Sequence, residues 1–424
     1  MSSLQQERLG RLRRLVFIGL VALGSTALAA CGDDDDDDTT SASDDSGTGG
    51  DASASGTGGS SSSDTTGGDD SGDSTASADE CEQGSTAAAH VVEVVSAAEA
   101  FLAALTSEQQ SEAQYELSID NAAVWSNLPV GSVTRNGVRF ADMDASAQAA
   151  ALALAELVGG EVGYTLFEEL RLADGYLVTD GGSGYGSGLY YFAVLGTPAS
   201  DSTWILQIGG HHMAYNFTYA GPCTSATPLF DGVEPTNWTD DDGAEHAALE
   251  AQRSAMADLT AAISGMDGAE LDGTFSDLVN GPTSNGGGGG PGASGDSMDT
   301  SDTNAELTLT YPTGSEGRGV NVSTLSEDEQ ELVKTAIEAW VMNVADPISS
   351  VLLEAYESEE AFEDTYVGYS GSVDLTTNAS YVRVDGPRVW IEFSVQSGII
   401  YPEVHYHTIW RDKVADYGAE FASD

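Results

Sequence analysis

Basic side chains are scarce: 14 lysines and arginines in 424 residues, against 69 aspartates and glutamates, for a formal charge of −55 at pH 7. A surface of that sign repels phosphate backbones and anionic headgroups, so the composition argues against nucleic-acid binding. Cysteine occurs three times and never as Cys-x-x-Cys. The chain also lacks a His-Glu-x-x-His helix, a Walker loop and a Gly-x-Ser-x-Gly elbow. Those gaps remove the signatures of zincin, phosphate-loop and α/β-hydrolase chemistry. The Gly-rich run at 181–188 has neither the spacing nor the strand–turn–helix setting for phosphate binding, and reads as a mobile loop.

What is present at the N-terminus points to export. Arg8, Arg11, Arg13 and Arg14 precede an apolar, small-residue run at 15–28 that is too short to favour a stable membrane span. Leu28-Ala29-Ala30-Cys31 follows, and it resembles a bacterial lipobox. The expectation is a signal peptide over 1–30, lipid on Cys31, and a membrane partner through that anchor. Gly32, where inner-membrane retention commonly uses Asp, favours the outer membrane or cell surface. Residues 31–84 are then a linker. From 32 to 80 there are 15 acidic residues and no basic one, among Ser, Gly, Thr and Ala. Without large apolar residues such a stretch cannot offset its ordering entropy, and it reads as a disordered acidic spacer. In an oxidising compartment Cys81 and Cys223 could form a disulfide, contributing about 4 kcal/mol on the chain-entropy model. Two unpaired thiols are the alternative.

From 85 to 424 the pattern is that of one α+β domain with antiparallel sheet and flanking helices. Val91, Val92, Val94, Val95, Ala98, Phe101, Leu102 and Leu105 give 87–105 a broad apolar helical face. Thr106 with Gln109, and Ser326 with Glu329, are capping boxes opening helices. Further helices are expected over 144–158 and 244–263. Strands are expected at 189–195 and 204–217 around a Gly-Thr-Pro turn. A C-terminal meander is expected from 381–384, 388–396 and 403–411. A Gly-rich stretch at 283–303 reads as an insertion within the domain.

Six histidines occur, and four lie in two pairs, His211-His212 and His405-Tyr406-His407. Residues two apart on a strand share a face, so His405 and His407 can address one metal ion, with Tyr406, Thr408 and Trp410 opposite. Consecutive His211 and His212 would face opposite ways on a regular strand, so one joins the site unless Gly209-Gly210 kinks the chain. Glu392, on an otherwise apolar strand, needs a partner: a metal, a histidine, or Arg383 or Arg411. Hydrogen-bonded core histidines are the competing reading. His90 and His246 sit in polar-rich stretches and read as solvent-facing.

Several segments are similar to landmarks of one bacterial family, called domain of unknown function 3500. They are WILQIGGHHMAYN at 204–216, TPLFDGVEP at 227–235, LSEDEQ at 325–330, YVRVDGP at 381–387, WIEF at 390–393, HYHTIWRD at 405–412 and DYG at 416–418. The insertion at 283–303 and the absence of a histidine after 418 depart from the pattern. The resemblance supplies a motif map and no mechanism.

The reading that follows is a metal-dependent extracytoplasmic enzyme, hydrolase before oxidoreductase. His405, His407 and one or both of His211 and His212 would be ligands to Zn, Cu or Fe. Glu392 would be a further ligand or a general base, and Arg411 would orient an anion or developing charge. Asp412 or Asp416 would support a ligand histidine. The alternative is a non-catalytic lipoprotein binding a metal, a small molecule or a polymer, with Tyr164, Tyr185, Tyr190, Tyr191 and Trp238 lining a groove.

Overall fold

The computed structural model describes residues 85–221, 223–272 and 311–418. The expected signal peptide, Cys31, the linker with Cys81, and the insertion at 283–303 lie outside them. Cys223 is disulfide-bonded.

In chain order the helices are α1 (Ser85–Ala104), α2 (Ser107–Ala113), α3 (Ile119–Ala122), α4 (Ala145–Gly181), α5 (Glu250–Ile263), α6 (Glu327–Val341), α7 (Asp346–Tyr356) and α8 (Glu359–Glu363). The first seven strands are β1 (Gln114–Tyr115), β2 (Val138–Arg139), β3 (Tyr191–Leu195), β4 (Thr203–Gly210), β5 (Met213–Ala220), β6 (Cys223–Ser225) and β7 (Leu229–Val233). The rest are β8 (Trp238–Thr239), β9 (Glu245–His246), β10 (Val320–Asn321), β11 (Tyr366–Ser370), β12 (Tyr381–Asp385), β13 (Val389–Ser397) and β14 (Val404–Asp412). The architecture is α+β. Twelve strands form one open, mixed sheet in the order β1-β3-β4-β5-β7-β14-β13-β12-β11-β10, with β2 on β3 and β6 on β5. Only β1–β3 is parallel among its pairs. The β14–β7 pairing joins the two strand groups into one surface.

Both capping boxes are present, Thr106 with Gln109 and Ser326 with Glu329. The long helices pack on one face of the sheet. Trp340 of α6 donates its indole N–H to Thr408 Oγ1 (2.8 Å), and Tyr356 of α7 packs edge-on against Trp410 (6.5 Å). The even-numbered residues of β14 therefore face the helical core, which leaves His405, His407, Ile409 and Arg411 on the other face. There the loop after α3 lies against the sheet, with Trp125 packed on Phe230, Ala214 and Ile409.

Three sequence expectations are corrected. The run 204–217 is not one strand but the hairpin β4–β5, reversing at His211-His212. The helix expected to stop near 158 continues to Gly181. Gly160, at φ +63°, kinks the chain without ending it, and Leu166, Phe167, Leu170, Ala173 and Leu177 bury a second helical stripe. Residues 244–263 open as the short strand β9 before α5 begins at Glu250. His90 and His246 are also not solvent-facing. His90 is buried, and His246 bridges Glu169 (3.0 Å) and Asp240 (3.3 Å) while stacking on Trp238.

Candidate metal centre

The β4–β5 turn is short and firmly tied. Gly210 pairs with Met213, so His211 and His212 alone make the reversal. His212 has φ +59°, the left-handed region that costs a non-glycine residue roughly 1 kcal/mol. Its surroundings hold it there. Arg135 Nη2 donates to Gly210 O (3.0 Å) and the Tyr190 hydroxyl donates to His211 O (3.3 Å). Gly232 N–H donates to His212 O (2.8 Å), and His212 N–H donates to Asn127 O (3.2 Å). The left-handed turn carries the His212 side chain toward β14 instead of along β5.

There it meets His405 and His407. His407 stands opposite Gly232 of β7, and Nε2 of His407 lies 3.2 Å from Nε2 of His405 and 3.2 Å from Nε2 of His212. Among the described residues, these three are the group of His, Cys, Asp or Glu close-set enough to hold a metal ion, their ligand atoms all within 4.8 Å of one another. All three side chains are buried. Burial, and then the neighbouring imidazoles, hold His212 and His407 well below the ordinary histidine value. Burial lowers His405 as well, against an opposing pull from Glu234.

The packing makes room for this. A Cβ on Gly232 would lie 2.8 Å from His407 Cδ2 and 3.0 Å from His212 Cδ2, inside the contact distance of both rings. Glycine here is a matter of space.

His211 takes a different position. Its Nδ1 lies 2.7 Å from Asp174 Oδ1, whose other oxygen accepts the Gly186 N–H (2.7 Å). Its ring stacks on His212 at 3.7 Å and 25°, with Tyr185 edge-on at 4.9 Å on its own account. Asp174, His211, Glu234, Leu170, Leu177 and Val233 line a crevice beside His212 that leaves no space for a water molecule. Glu234 Oε1 accepts three successive backbone N–H groups, from Ile399 (2.8 Å), Ile400 (2.7 Å) and Tyr401 (2.9 Å). That clamp fixes the β13–β14 loop next to the histidines.

The other sequence candidates are placed elsewhere. Glu392 stands opposite Ile409 and accepts from the Tyr381 hydroxyl (2.7 Å) and the Trp390 indole (2.9 Å). Arg411 lies four residues beyond His407 on β14 and pairs with Asp416 (2.6 Å). Asp412 accepts from the Tyr356 hydroxyl and from Arg388, each at 2.7 Å. None of these four touches the three converging histidines in the contacts observed. Of the five aromatics, Tyr185 and Tyr190 reach the histidine turn, whereas Tyr164 stacks on Phe167 and Trp238 on His246. Tyr191 pairs with Gly209 across β3–β4.

Asp174, Gly232 and Glu234 were not legible as site residues. Asp174 carried one signal: an acid on the same helical stripe as Leu170 and Leu177, visible only once the helix extends past Gly160. Gly232 carried none, since its role depends on two rings arriving from distant strands.

Fold and centre define an α+β domain with a buried cluster of three histidines, one in the β4–β5 turn and two on β14. The chain belongs to the family described as protein of unknown function (DUF3500), whose model matches residues 87–419. No curated protein and no solved structure matched the chain.

Proposed function

We propose that this is an exported, lipid-anchored metal-binding protein whose ion is held by His212, His405 and His407. The observation that carries the reading is the double contact at His407. One imidazole nitrogen offers a single hydrogen or a single lone pair, so His407 Nε2 cannot satisfy two nitrogen neighbours at 3.2 Å by hydrogen bonding. A cation resolves the conflict by accepting all three lone pairs. The two 3.2 Å spacings agree, because two imidazoles on one tetrahedral ion at about 2.05 Å stand roughly 3.3 Å apart. The donor set, three neutral nitrogens, suits Zn, Cu or Fe. Asp174 and Glu234 supply carboxylates near a charge that would otherwise be buried alone.

The anchor on Cys31 and placement at the envelope surface rest on the Leu-Ala-Ala-Cys sequence and Gly32. A metal-dependent hydrolase is the second reading. It is favoured by the ligand count, since three protein ligands mark catalytic zinc and four mark structural zinc. In that reading His211, Asp174 and Glu234 are the polar groups beside the ion, in place of Glu392 and Arg411. Because the crevice is too narrow for water, ligand exchange requires it to widen.

Titrating Zn²⁺ or Cu²⁺ into metal-free protein tests the proposal. One equivalent should bind, and His212→Ala should abolish it. Undiminished binding in that variant would remove His212 from the centre.

A further inference from the structure

The three converging histidines leave His211 unused, although it sits beside them in the same turn. We infer that Asp174 and His211 are positioning residues for the centre: Asp174 fixes the His211 ring, and that ring in turn fixes the plane of His212. This rests on the reading of His212, His405 and His407 as the ligand set.

The chain of contacts is short. Asp174 Oδ1 lies 2.7 Å from His211 Nδ1, and with a carboxylate as acceptor that nitrogen is the donor. The carboxylate is itself tethered by the Gly186 N–H at 2.7 Å, so it cannot swing away without breaking a second bond. Asp174 is buried, on the inward stripe of α4 between Leu170 and Leu177. His211 is thereby held from α4, an element that supplies no ligand. Its ring lies face to face with His212 at 3.7 Å, and Tyr185 meets it edge-on at 4.9 Å. A ring packed on one face and bound at one nitrogen has few orientations left. The His212 backbone is equally constrained, with φ +59° and both its N–H and its C=O bonded. Backbone and ring plane together aim Nε2 at His407. Partners that orient a ligand from behind commonly change metal affinity 10–100-fold when removed, even though they never touch the ion. Acting through a stacked ring instead of a ligand's own N–H, Asp174 belongs at the lower end.

Cobalt is the probe, because its visible bands report the geometry around the ion. In the full chain, Asp174→Ala should bind Co²⁺ about tenfold more weakly than wild type. Its visible spectrum should also differ at saturation, a change that a purely structural loss of stability would not produce. Asp174→Asn keeps an acceptor for the His211 N–H but turns its NH₂ toward the Gly186 N–H, and should recover part of both. His211→Phe keeps an aromatic face on His212 but loses the tie to Asp174, and should resemble Asp174→Ala. If Asp174→Ala does not fold, His211→Phe decides. Wild-type affinity and spectrum in the variants would overturn the positioning role while leaving the ligand set intact. A wild type that binds no cobalt would instead overturn the ligand set itself.

Discussion

Gly232 stands opposite His407 in the β7–β14 pairing, and a Cβ added to it would lie 2.8 Å from His407 Cδ2. The same Cβ would lie 3.0 Å from His212 Cδ2, so one missing methyl group lets two rings from different strands approach. Overpacking a tight site costs about 1–3 kcal/mol, and here the strain falls on two ligands. Gly232→Ala is therefore expected to fold but to bind metal roughly tenfold more weakly, measured by chelator competition. Unchanged affinity would mean that the rings have slack to spare.

Asp231 provides a pH test away from the ligands. It is fully buried on the helix-facing side, accepts from the Tyr215 hydroxyl at 2.6 Å, and has no partner at Oδ2 among the described residues. Burial pushes it up to about 7, against a smaller opposing pull from Tyr215. An acid whose folded value is raised gives stability that is complete below its unfolded value and is lost as pH rises through the folded one. Metal-free wild type should thus lose more thermal stability between pH 5 and pH 8 than Asp231→Asn. Parallel melting-temperature curves would contradict this.

Glu392 is expected to matter for stability and not for metal. Glutamine would turn an NH₂ toward either the Tyr381 hydroxyl or the Trp390 indole, leaving a buried donor facing a donor. The expected loss is about 1–3 kcal/mol in denaturant unfolding, with metal stoichiometry unchanged. Loss of metal from a folded Glu392→Gln protein would bring this carboxylate back to the centre.

An ion that binds the folded state alone adds stability by mass action, about 2.7 kcal/mol at a hundredfold excess over Kd. Chelation should therefore lower the wild-type melting temperature by a few degrees and leave His405→Ala where it was. An equal drop in both would place the stabilising ion elsewhere.

Half of the centre was legible because it obeys a local rule. His405 and His407 share a face through the two-residue period of β14, and the alternation with Tyr406, Thr408 and Trp410 announces the strand. The other half obeys no local rule. Residues 204–217 read as one strand apart from Gly209-Gly210, and the reversal falls on the two histidines after that pair, not on the glycines. What places His212 at φ +59° is a set of bonds from Arg135, Tyr190, Gly232 and Asn127, all remote in sequence. Helix α4 was curtailed for a related reason. Gly159-Gly160 reads as a stop, yet the chain resumes because Gly163 lets it pass the Asn343 carbonyl, which any Cβ would strike. With the helix cut short, Asp174 could not be seen to face the core.

The most direct test of the central claim is the metal content of the protein, purified without tag or chelator, by mass spectrometry. A His405→Ala/His407→Ala double variant is measured beside it. The account predicts close to one equivalent of a transition metal in the wild type and none in the variant. A folded wild type that stays empty after Zn, Cu and Fe are offered would contradict it, and would make the histidines a buried structural cluster.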